Sequence, residues 1–297
     1  MRIVVSIFCL PHEIDDLETT LSQLRESSKY ISKNTELVLD ITLSLSDVIV
    51  DWKKSSLPKT FFEEKLLKLS TNTDWCEKSF RTSTNIHGCV SHRRDSLLRQ
   101  KEATHFIWLD LDMIFPHEIF LHLENSLNKA SEETDYFVIT SEIVRYWDES
   151  WDIIVNEAFL EKELNYQNIN NPFIDSGIKG DVSLHEVFNK IPKQPKYKFK
   201  GGWFTCISAP LLNRIGMPES FGHYGFEDTF LMWSMEKLSD TTDLIIKQFK
   251  IKNLIVCENN KYSSNAHYLN NMTIFDRKNQ FEKIAESNFM KELEKIK

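Results

Sequence analysis

His105-Phe-Ile-Trp-Leu-Asp110-Leu-Asp112-Met-Ile-Phe-Pro116 is an apolar run that breaks into two acids one residue apart. A buried strand that runs out into a polar edge delivers its last side chains to the crevice beyond the strand ends, where open α/β sheets bind ligands. Carboxylates at i and i+2 on a turning backbone can share one hard divalent cation, and such a cation can hold a diphosphate. Asp-x-Asp also occurs in plain solvated turns, so the neighbouring segments decide its meaning.

Outward from this run, the pattern alternates between strand and helix. Residues 3–10 form a continuous apolar strand candidate, and Ile14, Leu17, Leu21 and Leu24 then mark one face of a helix. A second strand is expected over 36–43, helices over 61–69 and 88–101, and a strand over 106–109. Pro116 opens a further helix, at a position where the missing N–H costs nothing, and residues 136–140 read as the next strand. This order predicts an α/β fold, a Rossmann-like sheet flanked by helices. From 144 to 200 the pattern weakens into a Trp-, Asn- and acid-rich stretch and then a Lys-rich one. Of the eight glycines, Gly201, Gly202, Gly216, Gly222 and Gly225 crowd between 200 and 233, as expected where backbone approaches a ligand or takes positive φ. Residues 244–257 offer strand-like material, and 281–297 an amphipathic charged helix.

At 297 residues, with 41% apolar residues, seven Trp and 20 Phe, the chain has ample material for a core. The apolar run at the N-terminus is short for a secretory leader and meets Pro11, His12 and acids instead of a cleavage site. No stretch has the length of a membrane span. The five cysteines, Cys9, Cys76, Cys89, Cys206 and Cys257, show no metal-ligand spacing and read as reduced thiols. A soluble cytoplasmic protein without membrane insertion is the expectation. A net charge of -8 opposes whole-surface attraction to nucleic acid but leaves room for a local basic patch.

Taken in order, Gly88-Cys-Val-Ser-His-Arg-Arg-Asp95, the run 104–115, Gly201-Gly202 to Ser208 and Phe221-Gly-His-Tyr-Gly-Phe-Glu227-Asp228 resemble the GT-A fold glycosyltransferases, within them the broad family 2 type. The likeness covers roughly residues 1–270: a nucleotide-binding half over about 1–143 and an acceptor-side half over about 144–270, with a C-terminal helical extension over 271–297. It implies a metal-dependent transferase that uses a nucleotide sugar, with a uridine diphosphate sugar as the expected donor and inversion as the expected outcome. Asp112 would be the direct ligand of Mn²⁺ or Mg²⁺, with Asp110 nearer the ribose or a metal-bound water. A late histidine, His267, is the further candidate ligand, and His223 competes with it.

By the same resemblance, Asp228 is the general base and Glu227 a contact to acceptor or sugar. Deprotonating an attacking hydroxyl needs one carboxylate within hydrogen-bond reach, although acids at a helix start can also simply cap it. Gly201-Gly202-Trp203 corresponds to a loop closing on donor sugar and acceptor, with Trp203 as an apolar wall. Arg93 and Arg94 occupy the place of a segment that meets the nucleotide, but His92-Arg93-Arg94-Asp95 leaves open which arginine corresponds. Leu10 at the end of the first strand, and Asp40 or Asp47 at the second, are expected around the uracil or other base. A nucleotidyltransferase would show a Gly-rich, Lys- or Arg-bearing loop after the first strand, which Leu10-Pro11-His12-Glu13 lacks. A non-catalytic sugar-binding module would be expected to lose one of the acid pairs, and both are present. The acceptor is open: a saccharide, a protein, a lipid-linked sugar or a modified DNA base. For the last, Lys190-Ile-Pro-Lys193-Gln-Pro-Lys196-Tyr197-Lys198-Phe-Lys200 offers lysines for a phosphate backbone and aromatics for a base, against the plainer reading of a solvated loop.

Overall fold

A computed structural model of the chain describes residues 1–111, 113–144, 178–188, 196–197, 204–258 and 278–297. Strand β1 (Arg2–Cys9) pairs in parallel with β2 (Glu36–Ser44) on one side and β4 (His105–Leu109) on the other, and β2 pairs in parallel with the edge strand β3 (Glu77–Ser83). Parallel neighbours need crossovers, and helices α1 (Ile14–Ser28), α2 (Lys59–Asn72) and α3 (Cys89–Arg99) supply them. Side chains alternate between the two faces of each strand. Ile3, Val5, Ile7, Ile107 and Leu109 therefore pack with α1, α2 and α4 (Ile119–Glu133), whereas Val4, Phe106 and Trp108 pack on the face that carries α3. Burial on both faces explains why β1 and β4 are continuously apolar.

The rest of the sheet is mixed. After β5 (Met113–Ile114) and α4 come β6 (Tyr136–Val144), β7 (Ile178–Glu186), β8 (Phe204–Ser208), α5 (Ala209–Ile215), α6 (Glu227–Thr241), β9 (Ile246–Glu258), a π-helical turn over Lys278–Glu282 and α7 (Lys283–Lys295). Strand β8 wedges between β4 and β6, antiparallel to both. Strand β9 runs parallel to β6 and antiparallel to β7 and β5. Its register against β6 jumps from Ile251 to Ile255, a bulge where Asn253 takes φ 64° and its amide donates to the Asp181 carbonyl at 2.8 Å. Helices α5, α6 and α7 complete the second core around Phe221, Phe230 and Met235.

The α/β architecture is the one the alternating pattern predicts. Four strands add to it, the two-residue β5 among them. Edge strand β3 carries Glu77, Lys78, Ser79 and Arg81, because a strand paired on one side only needs little apolar surface. Strand β7 falls in the stretch where periodicity fails, and β8, beyond that stretch, is five buried residues, too short to show an alternation. Helix α4 starts at Ile119, three residues after Pro116, whose carbonyl accepts from the Ile119 N–H in a preceding turn. Among the described residues no helix is long and apolar enough to cross a membrane.

Candidate active site

Helix α3 opens at Gly88, which presses against the loop before α6. A Cβ on Gly88 would lie 2.0 Å from the His223 carbonyl oxygen, the same oxygen that accepts from the Val90 N–H at 3.0 Å. This close backbone approach brings the next turn of α3 over the end of β4. Arg93 there lies above the indole of Trp108, 4.6 Å from guanidinium carbon to ring centroid. Because Phe106 and Trp108 share a face, the pleat carries Asp110 to that same side, one step past the strand's end.

Arg93 ties three carboxylates together. Its Nη2 reaches Asp110 Oδ1 at 3.4 Å, and its Nη1 donates to Glu227 Oε1 at 2.6 Å and to Asp228 Oδ1 at 3.3 Å. The Arg93 side chain is 5% exposed and that of Glu227 8%, while Asp228 is 16% and Asp110 40% exposed, so the acids grade from buried to open. Burial works against the arginine charge, but the three carboxylates outweigh it and raise the Arg93 pKa. Burial, and then Glu227, push the Cys89 thiol well up, so it stays neutral and donates to Glu227 Oε1 at 3.0 Å.

The chain enters α6 through Gly222 at φ 72°, Gly225 at φ 92° and Phe226 at φ 64°. A left-handed non-glycine residue costs about 1–2 kcal/mol and persists where surrounding contacts impose it. Glu227 and Asp228 then occupy the first turn of α6, where the helix dipole favours negative charge.

The two arginines left open by the sequence separate here. Successive helix residues point about 100° apart, so Arg93 turns inward to the acids while Arg94 turns to the loop, donating to the carbonyls of Pro218 and Gly222, each at 3.4 Å. Asp40 is fully buried in a different cluster, accepting from Arg81 at 2.7 Å, Arg99 at 3.1 Å and Ser96 at 2.8 Å. Leu10 is buried against Ile49 and Val50 at the end of β1. His223 Nδ1 pairs with Ser91 Oγ at 2.8 Å, its ring lies 3.7 Å from that of His87, and burial followed by His87 lowers its pKa to about 4. Asp112, Gly201, Gly202, Trp203 and His267 lie outside the described residues. So do Lys190, Lys193, Lys198 and Lys200. In the lysine segment Tyr197 is buried, with its hydroxyl donating to the Ile246 carbonyl at 3.0 Å, and Lys196 Nζ pairs with Ser239. That corrects the idea of Tyr197 as a base-stacking platform, since its ring fills the core.

Sequence reasoning missed Cys89 and Trp108 as members of the site, and the Arg81 and Arg99 partners of Asp40. Only the helical offset between Cys89 and Arg93, four residues apart and hence on one face, could have signalled the first.

No known family profile matches the sequence, and no curated protein does. Among solved structures, the chain is similar to a mannosyltransferase from Pyrobaculum calidifontis in complex with GDP-Man and Mn²⁺, at 11% identity over 90% of this chain and 59% of that one, with a TM-score of 0.49. It is similar to S. aureus TarS in complex with UDP-GlcNAc at 13% identity, covering 88% of this chain and 57% of that chain, with a TM-score of 0.42. A third is glucosyl-3-phosphoglycerate synthase from Mycobacterium tuberculosis in complex with phosphoglyceric acid, at 13% identity over 86% and 70% of the two chains, TM-score 0.43. The chain thus spans less than two thirds of the length of the first two.

Proposed function

We propose that this protein is a metal-dependent glycosyltransferase that moves a sugar from a nucleotide sugar, a uridine diphosphate sugar foremost, to an acceptor hydroxyl with inversion. The observation that carries the reading is the convergence on Arg93 of Asp110, from the end of β4, and Glu227 and Asp228, from the start of α6. The order of motifs along the sequence supports it independently.

Oxygen donors at Asp110 suit a hard divalent cation, and its side chain is 40% exposed, so the chemistry of the site fits one. Among the described residues no three His, Cys, Asp or Glu side chains group as a metal site; Asp112 and His267, outside them, would complete a set with Asp110. Asp110, Asp112 and His267 would hold Mn²⁺ or Mg²⁺, whose charge offsets that of a diphosphate leaving group.

The chain's own groups divide the remaining work. Asp228, the more exposed acid of its pair, takes the proton of the acceptor hydroxyl while that oxygen bonds to the anomeric carbon and the bond from this carbon to the diphosphate oxygen breaks. Glu227, buried between Arg93 and Cys89, orients Arg93 and through it Asp228. Arg93, held by three acids, acts as a brace between donor and acceptor sides and not as a mobile phosphate ligand. Gly201, Gly202 and Trp203 are proposed to border the sugar, and Leu10 the base. Asp40 would act on the base region through Arg81 and Arg99, whose partly exposed side chains cover its buried carboxylate. A nucleic-acid acceptor draws no support from Tyr197, which leaves saccharide, protein or lipid-linked hydroxyls as the favoured classes.

A panel of nucleotide sugars with Mn²⁺, scored for nucleoside diphosphate release without acceptor, tests the reading. Release is expected with at least one UDP-sugar and should vanish in Asp112→Asn and in excess EDTA. Consumption of pyrophosphate by the wild type in place of diphosphate release would identify a nucleotidyltransferase instead.

A further inference from the structure

The acids of α6 are presented by a short loop, residues 219–226, and that loop is gripped from two sides. Helix α3 holds one side through Arg94 and through the backbone contact of Gly88 and Val90 with His223. On the other side stands α7. Its Phe289 packs on Phe221 at 6.2 Å between ring centroids, on Phe226 at 5.8 Å and on Phe230 at 5.9 Å. Asn288 Nδ2 donates to the Ser220 carbonyl at 3.1 Å, and the Ser220 hydroxyl donates to Glu292 Oε1 at 2.7 Å. Gly225 approaches the π-helical turn so closely that an added Cβ would come within 3.0 Å of Glu282 Cγ. Phe281 lies 4.8 Å from the ring of His87, on the histidine pair that anchors the loop to α3. Lys237 Nζ caps the link from α6 by donating to the Leu293 carbonyl at 2.8 Å.

We infer that α7 is the positioning element of the acid pair: Phe289 and Asn288 clamp residues 219–226 against α3, keep Phe226 left-handed and so fix the direction in which Glu227 and Asp228 leave the loop. The physical ground is the cost of the left-handed Phe226, which has to be imposed from outside the loop. Its ring, the only part of Phe226 that could be held at a distance from its own backbone, meets Phe289. The hydrogen bond from Asn288 fixes the opposite end of the same loop. The clamp makes Phe289 and Asn288 positioning residues, not catalytic ones, and their catalytic consequence rests on the reading of Asp228 as the base.

The test uses the full chain with Phe289→Ala and with Asn288→Ala. Amide hydrogen exchange over 219–229 is expected to speed up by roughly tenfold or more, while residues 3–9 and 37–43 exchange as in the wild type. With Mn²⁺ and UDP-glucose, UDP-N-acetylglucosamine or GDP-mannose as probes, kcat for diphosphate release should fall by about tenfold with the donor KM held within about twofold. Adding Phe226→Asn to Phe289→Ala should recover part of that loss, because Asn adopts positive φ more readily. Unchanged exchange over 219–229, or an increase shared equally with the sheet, overturns the clamp. If the wild type releases diphosphate from no donor, the glycosyltransferase reading fails, and the exchange result alone decides the clamp.

Discussion

Arg93 concentrates the argument at the scale of a residue. It was legible in the sequence as a candidate nucleotide contact, and the structure pairs it with Asp110, Glu227 and Asp228. Arg93→Met removes the counter-charge that joins these acids, and breaking such a buried pair typically costs about 3–5 kcal/mol. The urea midpoint should fall accordingly, and diphosphate release should disappear with it. Arg93→Lys keeps a charge but not the fork that serves two directions at once, so it should regain stability more than activity. Equal recovery of both would show that charge alone matters. For Asp228→Asn, turnover should drop by about 10²–10⁴ with donor affinity retained, the range expected for a lost general base; a parallel loss of donor binding would make Asp228 a structural cap.

Elements meet where backbone touches backbone, and Gly88 marks that contact between α3 and the loop. Gly88→Ala forces a Cβ into the His223 carbonyl, and neither atom belongs to a flexible side chain. An overpacking penalty of about 1–3 kcal/mol should appear in the thermal midpoint, together with loss of activity as the loop shifts. Gly180→Ala offers the contrast. Gly180 has φ 75° with nothing within 4 Å of an added Cβ, so only backbone strain of about 1 kcal/mol is expected, with activity intact. A milder effect at Gly88 than at Gly180 would refute the close approach as the reason for glycine there.

Over the whole molecule, buried histidines tie stability to pH. His92 is fully buried between Ser6 Oγ at 2.9 Å and Thr42 Oγ1 at 3.0 Å, and burial lowers its pKa from 6.5 to about 3. Burial also lowers His105 and His223 to about 4. A folded-state pKa below the unfolded one means that the unfolded chain takes up protons first. The contribution is intact above pH 6.5 and is lost as pH falls from there toward the folded values, at roughly 1.4 kcal/mol per pH unit for fully buried His92 and less for half-buried His223. Denaturation midpoints should therefore drop between pH 7.5 and pH 5, and His92→Gln, which can keep both hydroxyl partners, should drop less. Identical pH slopes in the two proteins would remove His92 from the account.

Taken alone, the sequence determined the alternation of strands and helices over residues 1–140, apart from edge strand β3 and the two-residue β5, because a parallel strand buried on both faces and an amphipathic helix each write a local period. It also marked Asp110, Glu227 and Asp228, since acids at the end of an apolar strand and after a glycine-rich turn stand out locally. Partnership was decided only by tertiary structure. That Arg93 and not Arg94 faces the acids depends on the rotation of α3, which Gly88 fixes against a carbonyl 135 positions away in the chain. Strand β8 became part of the sheet because β4 and β6 present it with two ladders, not because five residues declare a strand. Asp40, expected beside the base, lies in the middle of β2 and is buried beneath Arg81 and Arg99, which β3 and α3 bring to it. Such contacts join segments far apart in the chain, and no local period records them.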